Sequence, residues 1–158
     1  METTLTPSVV YAREALLSYR PGGRKLGGTI NDSRSAAAHV RHAIGEPMVE
    51  HFVAVAMDSR NRTLGWSTIG VGSLAACPVD LCQLARFAVL SGARGLVLGH
   101  NHPSGDPAPS GDDIAITERA ISALRLLGVQ VLDHVIVADG SDGFFSFLDA
   151  GILFPKGR

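Results

Sequence analysis

The sequence has no large excess of charge of either sign. Its formal net charge at neutral pH is −1 and its pI is near 6.6. Proteins that bind nucleic acid usually carry a basic excess or a basic patch, so the overall charge gives no case for such a partner. Residues 1–45 are the exception, with six basic and three acidic side chains. We interpret these as solvated surface charge, with a modest basic arm as the alternative.

Cysteine is nearly absent. Cys77 and Cys82 are the only two, and their spacing matches neither the CxxC pairs of structural zinc sites nor a disulfide framework. We therefore expect both to be buried thiols in a reducing compartment.

Long apolar runs are also absent. No stretch approaches 18 uninterrupted apolar residues, which excludes a transmembrane helix and predicts no membrane partner. The first residues, METTLTPSVVYAREALLSY, lack the basic start and apolar run of a signal peptide. We expect a cytoplasmic protein.

What is present suits one globular domain. The chain has 158 residues, of which 46% are hydrophobic, enough for a proper core. Residues 1–28 contain a potential short helix over 8–19 and the turn-forming stretch RPGGRKLGG. We predict an N-terminal arm or linker over 1–28 and a single domain over 29–158.

Predicted strands and helices alternate along this domain. Helix formers after the cap residues NDS end at Gly45, and apolar residues 50–57 predict a buried strand joined by the turn DSRN to a second strand. The further predicted elements are a helix from about Asp80 to Gly92, a strand over 95–99, a helix over 110–127 and strands over 129–138 and 144–148. This order predicts a mixed-sheet α/β domain covered by helices.

The stretch GHNHPSGDPAPSGDD, residues 99–113, carries the strongest candidate site. His100 and His102 follow a buried strand, and residues two apart in extended chain point the same way. Ten residues separate His102 from Asp113. The prolines and glycines among those ten residues let the loop turn back sharply. Two histidines and one carboxylate leave a fourth tetrahedral position for water, which is typical of catalytic zinc.

The same residues have a purely structural alternative. Ser110-x-x-Asp113 is also the pattern of a helix N-cap, in which Asp113 would favour the positive end of the helix. The two histidines could belong to a polar surface loop. Capping and metal ligation do not exclude each other, so the spacing leaves both open.

Two other polar positions interrupt apolar strands. Glu50 heads the strand EHFVAVAM, where an acid is costly unless it lies at an edge or in a site, so it is a candidate general base. An exposed strand end is its alternative. Asp133 and His134 interrupt VLDHVIV, and we interpret His134 as a hydrogen-bonded structural histidine, with support of a metal ligand as the alternative.

These residues resemble a known family. His100-Asn101-His102-Pro103, Ser110-x-x-Asp113 and the upstream Glu50 resemble the JAMM signature of the JAB/MPN metalloproteases. Four longer stretches resemble the RadC-like branch of that family in order and spacing: EHFVAVAMDSRNR, GHNHPSGDPAPSGDDIAIT, LLGVQVLDHVIV and FSFLDAGIL. The resemblance covers about residues 30–154.

The resemblance implies a fold, a metal and an activity. The fold would be a single MPN/JAB-type α/β domain, a mixed central β-sheet flanked by helices in a cytidine-deaminase-like architecture. His100, His102 and Asp113 would hold one zinc ion, Glu50 would be the general base, and Ser110 would help to hold the oxyanion. The expected activity is zinc-dependent hydrolysis of a peptide or isopeptide bond in a peptide or protein tail.

The chain departs from the RadC-like pattern in two ways. That branch commonly has an N-terminal helix-hairpin-helix segment associated with DNA, for which residues 1–28 are too short. It also tends to have His-Pro-Arg-Glu where this chain has Cys77-Pro78-Val79-Asp80. Both departures weaken a DNA-repair-associated role, which stays as one alternative beside a non-catalytic MPN scaffold, and the oligomeric state is left open.

Overall fold

Five strands form one sheet in the computed structural model, which describes residues 27–45, 48–72 and 79–154. The strands are β1 (His51–Met57), β2 (Thr63–Val71), β3 (Gly95–His102), β4 (Gln130–Ala138) and β5 (Phe144–Ser146). Their order across the sheet is β2-β1-β3-β4-β5, in which β3 and β4 run parallel and the other neighbours antiparallel. Parallel neighbours need a crossover connection, and a helix between β3 and β4 provides it.

Three helices cover the sheet: α1 (Ser33–Ile44), α2 (Leu81–Leu90) and α3 (Gly111–Arg125). Each begins after a polar N-cap, and the side chains of Asp32, Asp80 and Ser110 accept hydrogen bonds from N–H groups of the first turn. The predicted helix starts are therefore confirmed.

Each face of the sheet packs against its own helices, because successive strand residues point to opposite faces. Val53, Val55 and Val97 lie in the core cluster beneath α1. Phe52 and Leu98 lie in the cluster that α2 and α3 cover. His100 pairs with Phe52 across the antiparallel strands, so the first candidate ligand lies on the α2/α3 face.

Helix α1 approaches β3 most closely at Gly99. A Cβ atom built on Gly99 would lie 2.5 Å from both Cγ atoms of Val40, a separation that real Cβ atoms essentially never show. Only glycine therefore allows the buried Val40 to pack directly on the backbone beside His100.

The predicted fold class is confirmed: one α/β domain with a mixed five-stranded sheet and helices on both faces. β1, β2 and β4 each begin one residue later than predicted, and two strands end at a different residue. β3 runs to His102 rather than to Gly99, because β1 pairs with it as far as His100 and β4 as far as His102. β5 ends at Ser146 rather than at Leu148, where the chain turns away.

The prediction that Cys82 is buried is wrong. Cys82 is exposed at the second position of α2, where its N–H donates to the cap Asp80 while its thiol faces solvent. Cys77-Pro78 and residues 1–26 lie outside the described residues, so the arm stays a prediction. No helix among the described residues is long and apolar enough to cross a membrane.

Candidate metal centre

The end of β3 carries two of the predicted ligands. His100 is fully buried, whereas the side chain of His102 is 18% exposed. The ring of His100 stacks on that of Phe52, with 5.9 Å between centroids and 11° between planes. Because β3 continues through His102, both imidazoles project from one face of a rigid strand rather than from a loop.

The loop after β3 is tied back onto the strand. The N–H of Gly105 donates to the carbonyl oxygen of His102 at 3.0 Å, and Gly105 has the positive φ of 79° that favours glycine. His102 Nδ1 lies 2.7 Å from the Asp106 carbonyl oxygen, and the Asp106 side chain accepts from the Ala108 N–H. These contacts fix the ring of His102 and steer the chain toward α3.

The third predicted ligand lies in the first turn of α3. Ser110 is the N-cap, and its hydroxyl donates to Asp113 Oδ2 at 2.6 Å while its N–H donates to the same oxygen at 2.7 Å. The Asp113 N–H donates in return to the Ser110 hydroxyl oxygen at 3.2 Å. The capping alternative is therefore confirmed, and it holds the Asp113 carboxylate rather than competing with ligation.

The three predicted ligands converge. One ligand atom from each of His100, His102 and Asp113 lies within 4.8 Å of the others. The Nε2 atoms of the two histidines are 3.0 Å apart, and His100 Nε2 is 3.1 Å from Asp113 Oδ1. His102 Nε2 is 3.5 Å from Asp113 Oδ2. This group could hold a metal ion.

Hydrogen-bond directions test whether these atoms suit a cation. The Asp106 carbonyl can only accept, so His102 Nδ1 carries a proton, and the Nε2 of the neutral ring has a free lone pair. That lone pair faces another ring nitrogen and a carboxylate oxygen, so either a proton on His100 Nε2 or a bound cation is needed between these atoms. Imidazole nitrogens with a single carboxylate suit zinc and similar transition metals better than calcium or magnesium.

The protonation state of the Asp113 carboxyl also suits a bound cation. Burial raises the pKa of its carboxyl, but a hydrogen bond and positive charge from His100, together with the bonds from Ser110, outweigh burial and hold this pKa well below its ordinary value. Asp113 is therefore ionised at neutral pH, and a metal cation held by this group would stabilise the ionised carboxylate.

Glu50 lies outside the group of three. It is half-buried and immediately precedes β1, and its carbonyl oxygen accepts a 2.8 Å hydrogen bond from the Gly72 N–H. The structure therefore brings together the three predicted ligands and Ser110, while Glu50 stands at the entry to the neighbouring strand.

Asn101, between the two histidines, is a site residue that the sequence reasoning did not single out. It is fully buried, and its side-chain oxygen accepts from the His51 N–H at 2.8 Å while its amide nitrogen donates to the Val49 carbonyl at 3.3 Å. The same amide donates to Asp139 Oδ2 at 3.1 Å. Asn101 thus holds the backbone on both sides of Glu50.

His134 contacts a candidate ligand directly, and Thr117 lies behind it. His134 Nε2 is 2.9 Å from His100 Nδ1, so His134 is hydrogen-bonded as predicted, and its role as support for a metal ligand stays a prediction. Thr117 Oγ1 is 2.6 Å from His134 Nδ1, a contact the sequence hinted at only because Thr117 follows Asp113 by one helical turn. The Asp133 carboxylate accepts from the Ser146 hydroxyl and from the N–H groups of Leu148 and His134, and none of these bonds goes to a candidate ligand.

Comparison with known proteins gives the same family for the domain as a whole. A family model described as "RadC-like JAB domain" matches residues 30–152. A UPF0758 protein of Geotalea uraniireducens is 42% identical over 115 residues, covering 73% of this chain and 50% of that protein. A UPF0758 protein of Syntrophotalea carbinolica is 37% identical over 134 residues, covering 85% of this chain and 56% of that protein.

The chain spans about half the length of these curated relatives. The matched region nevertheless includes every strand and helix described above, together with the three converging ligands. The chain belongs to the RadC-like JAB domain family.

Proposed function

We propose that this domain is a zinc-dependent hydrolase of peptide or isopeptide bonds, acting on a peptide or a protein tail. The observation that carries the proposal is the convergence of His100, His102 and Asp113 at the partly open end of β3. Three protein ligands leave a fourth position for water, as in catalytic rather than structural zinc sites.

The donor set supports zinc over the other common divalent ions. Two imidazole nitrogens and one ionised carboxylate oxygen are ordinary zinc ligands. When bound, zinc acts as a Lewis acid on a carbonyl group and lowers the pKa of water to about 7.

Glu50 is the proposed general base, and strand register supports this role. Phe52 pairs with His100 in the β1–β3 ladder, and side chains two apart along a strand share a face. The observed ladder ends at this pair; continued by one further two-residue step along both chains, the same register would place Glu50 beside His102, on the face that carries the candidate ligands. There its carboxylate would accept a proton from the attacking water and return it to the leaving amine.

Ser110 is the proposed second donor to the oxyanion. Its hydroxyl proton is given to Asp113 Oδ2, while its N–H binds the same oxygen independently. The hydroxyl can therefore turn toward substrate without releasing Asp113, because the backbone bond remains. Removing one donor of this kind typically costs about 10²- to 10³-fold in turnover.

Zinc-loaded protein and a library of peptide and isopeptide substrates test the proposal. We expect Glu50→Gln to keep one zinc ion per chain and to lose about 10²- to 10⁴-fold in turnover, since only the proton acceptor is removed. Glu118→Gln is the matched control, because Glu118 is an exposed glutamate on α3.

Three outcomes would contradict parts of the proposal. Full activity of Glu50→Gln removes Glu50 from the mechanism. Zinc binding without cleavage of any library member would favour the non-catalytic scaffold. Salt-dependent DNA binding by the same preparation would favour the nucleic-acid alternative.

A further inference from the structure

A buried chain of hydrogen bonds runs behind the candidate metal centre and joins two of its residues. Thr117 Oγ1 lies 2.5 Å from the Asp113 carbonyl oxygen and 2.6 Å from His134 Nδ1. His134 Nε2 lies 2.9 Å from His100 Nδ1. Thr117 and His134 are 2% and 0% exposed, so solvent does not compete for these contacts.

The backbone carbonyl at one end fixes the direction of the first two bonds. A carbonyl oxygen can only accept, so the single hydroxyl proton of Thr117 goes to Asp113. The contact between Thr117 Oγ1 and His134 Nδ1 then needs a proton from the ring. His134 therefore carries its proton on Nδ1 and donates it to Thr117.

This direction continues to His100. The ring of His134 lies against those of Phe52 and Phe147, and an imidazole enclosed in this way without a bonded carboxylate is neutral and carries one N–H. Its Nε2 can then only accept, so the proton between the two rings belongs to His100 Nδ1.

We propose that Thr117 and His134 are positioning residues that hold His100 with its proton on Nδ1, so that the Nε2 lone pair faces the metal centre. That nitrogen is the one 3.1 Å from Asp113 Oδ1. In the opposite arrangement, Thr117 Oγ1 and the Asp113 oxygen would lie 2.5 Å apart with no proton between them. The neutral His100 ring would also present an N–H, not a lone pair, to the metal. The inference rests on metal binding by this group and not on hydrolysis.

Zinc affinity measured by competition with a fluorescent chelator tests the proposal. Thr117→Val removes the hydroxyl at similar size and should weaken zinc binding about 10- to 100-fold, the usual effect of losing such a supporting residue. Thr117→Ser restores the hydroxyl and should bind zinc as the unmodified protein does. The control is Ser122→Ala, which removes an exposed bond from Ser122 to the Glu118 carbonyl with the same spacing on α3.

Nitrogen NMR of the imidazoles gives a second readout that needs no variant. At a pH of roughly 8, above the ordinary histidine pKa of about 6.5, His134 should be protonated on Nδ1 and unprotonated on Nε2. A coupling through the hydrogen bond should join His134 Nε2 to His100 Nδ1. In Thr117→Val the His134 proton should move to Nε2.

A His134 protonated on Nε2 in the unmodified protein would overturn the proposal, as would full zinc affinity in folded Thr117→Val. A protein that binds zinc with these effects but cleaves no substrate would contradict only the proposed hydrolysis. A protein that binds no zinc would contradict the proposed function, while the NMR result would still accept or reject the proton arrangement.

Discussion

The Nδ1 atom of His100 lies 2.9 Å from the Nε2 atom of His134 across the parallel strands β3 and β4. One nitrogen of each ring is therefore engaged by the other ring. Only Nε2 of His100 remains for the group formed with His102 and Asp113. The metal centre is built on sheet pairing as much as on its motif, and the following expectations depend on that arrangement.

Removing one ligand should remove the metal without unfolding the domain. His102→Ala and Asp113→Asn should each lower zinc content well below one ion per chain by elemental analysis, since two protein ligands bind far more weakly than three. Asp112→Asn is the matched control, because Asp112 is the adjacent exposed acid in the first turn of α3. Unchanged zinc content in either ligand variant would refute the ligand assignment.

Replacing Asn101 should separate turnover from metal binding. Asn101→Ala leaves the His51 N–H and the Val49 carbonyl without their side-chain partners, at a cost of about 1–3 kcal/mol for each such buried group. The segment that carries Glu50 should then shift. We expect kcat to fall while zinc content stays at one ion. If zinc is lost as it is in His102→Ala, Asn101 supports the ligands instead.

Asp133 should make the stability of the domain depend on pH. Burial raises the pKa of its carboxyl above the ordinary value of 3.8, although hydrogen bonds from Ser146, Leu148 and His134 oppose the shift. A raised pKa in the folded state means that folding favours the proton. The contribution is fully present below about pH 3.8 and is lost as pH rises through the raised pKa.

Comparing Asp133→Asn with the unmodified protein isolates this contribution. The variant cannot ionise, so its free energy of unfolding, relative to the unmodified protein, should increase as pH rises above 3.8. Urea unfolding of metal-free protein at several pH values measures the difference. A difference that does not change with pH would show that Asp133 has an ordinary pKa.

Gly99→Ala should destabilise the contact between α1 and β3. The added methyl would lie 2.5 Å from both Cγ atoms of Val40, and overpacking of this kind costs about 1–3 kcal/mol. Adding Val40→Ala should recover part of the loss, because the two residues contact each other. The control is Gly65→Ala in β2, where an added methyl meets nothing within 4 Å. Equal thermal unfolding of the two single variants would contradict the expectation.

The convergence of the three candidate ligands could be predicted from sequence because local rules determine their directions. His100 and His102 share a face by strand periodicity, and Ser110 and Asp113 meet through helix capping. Cys82 was mispredicted because its burial was inferred from the number and spacing of the cysteines, whereas the buried residues of α2, Leu84 and Ala88, mark a face that does not include Cys82.

The supporting residues depend on long-range geometry. His134 reaches His100 only through the β3–β4 register, which contains an irregularity between Leu96 and Val97 that no local pattern predicts. Thr117 reaches His134 because α3 crosses back over β4 with that side turned inward. The three hydrogen-bond partners of Asn101 could not be identified from sequence, because they lie at the start of β1 and just after β4, which meet Asn101 only in the folded sheet.

The three candidate ligands differ in exposure, and this difference limits the side from which an ion could reach them. The side chain of His100 is fully buried against Phe52, that of Asp113 is 12% exposed and that of His102 is 18% exposed, so the more open side of the group lies at His102. On the proposed function, an ion would enter and leave on the side of His102, and an inhibitor that captures the metal would approach by the same route. Small chelators should therefore strip the domain quickly and bulky ones slowly, at equal affinity for the ion.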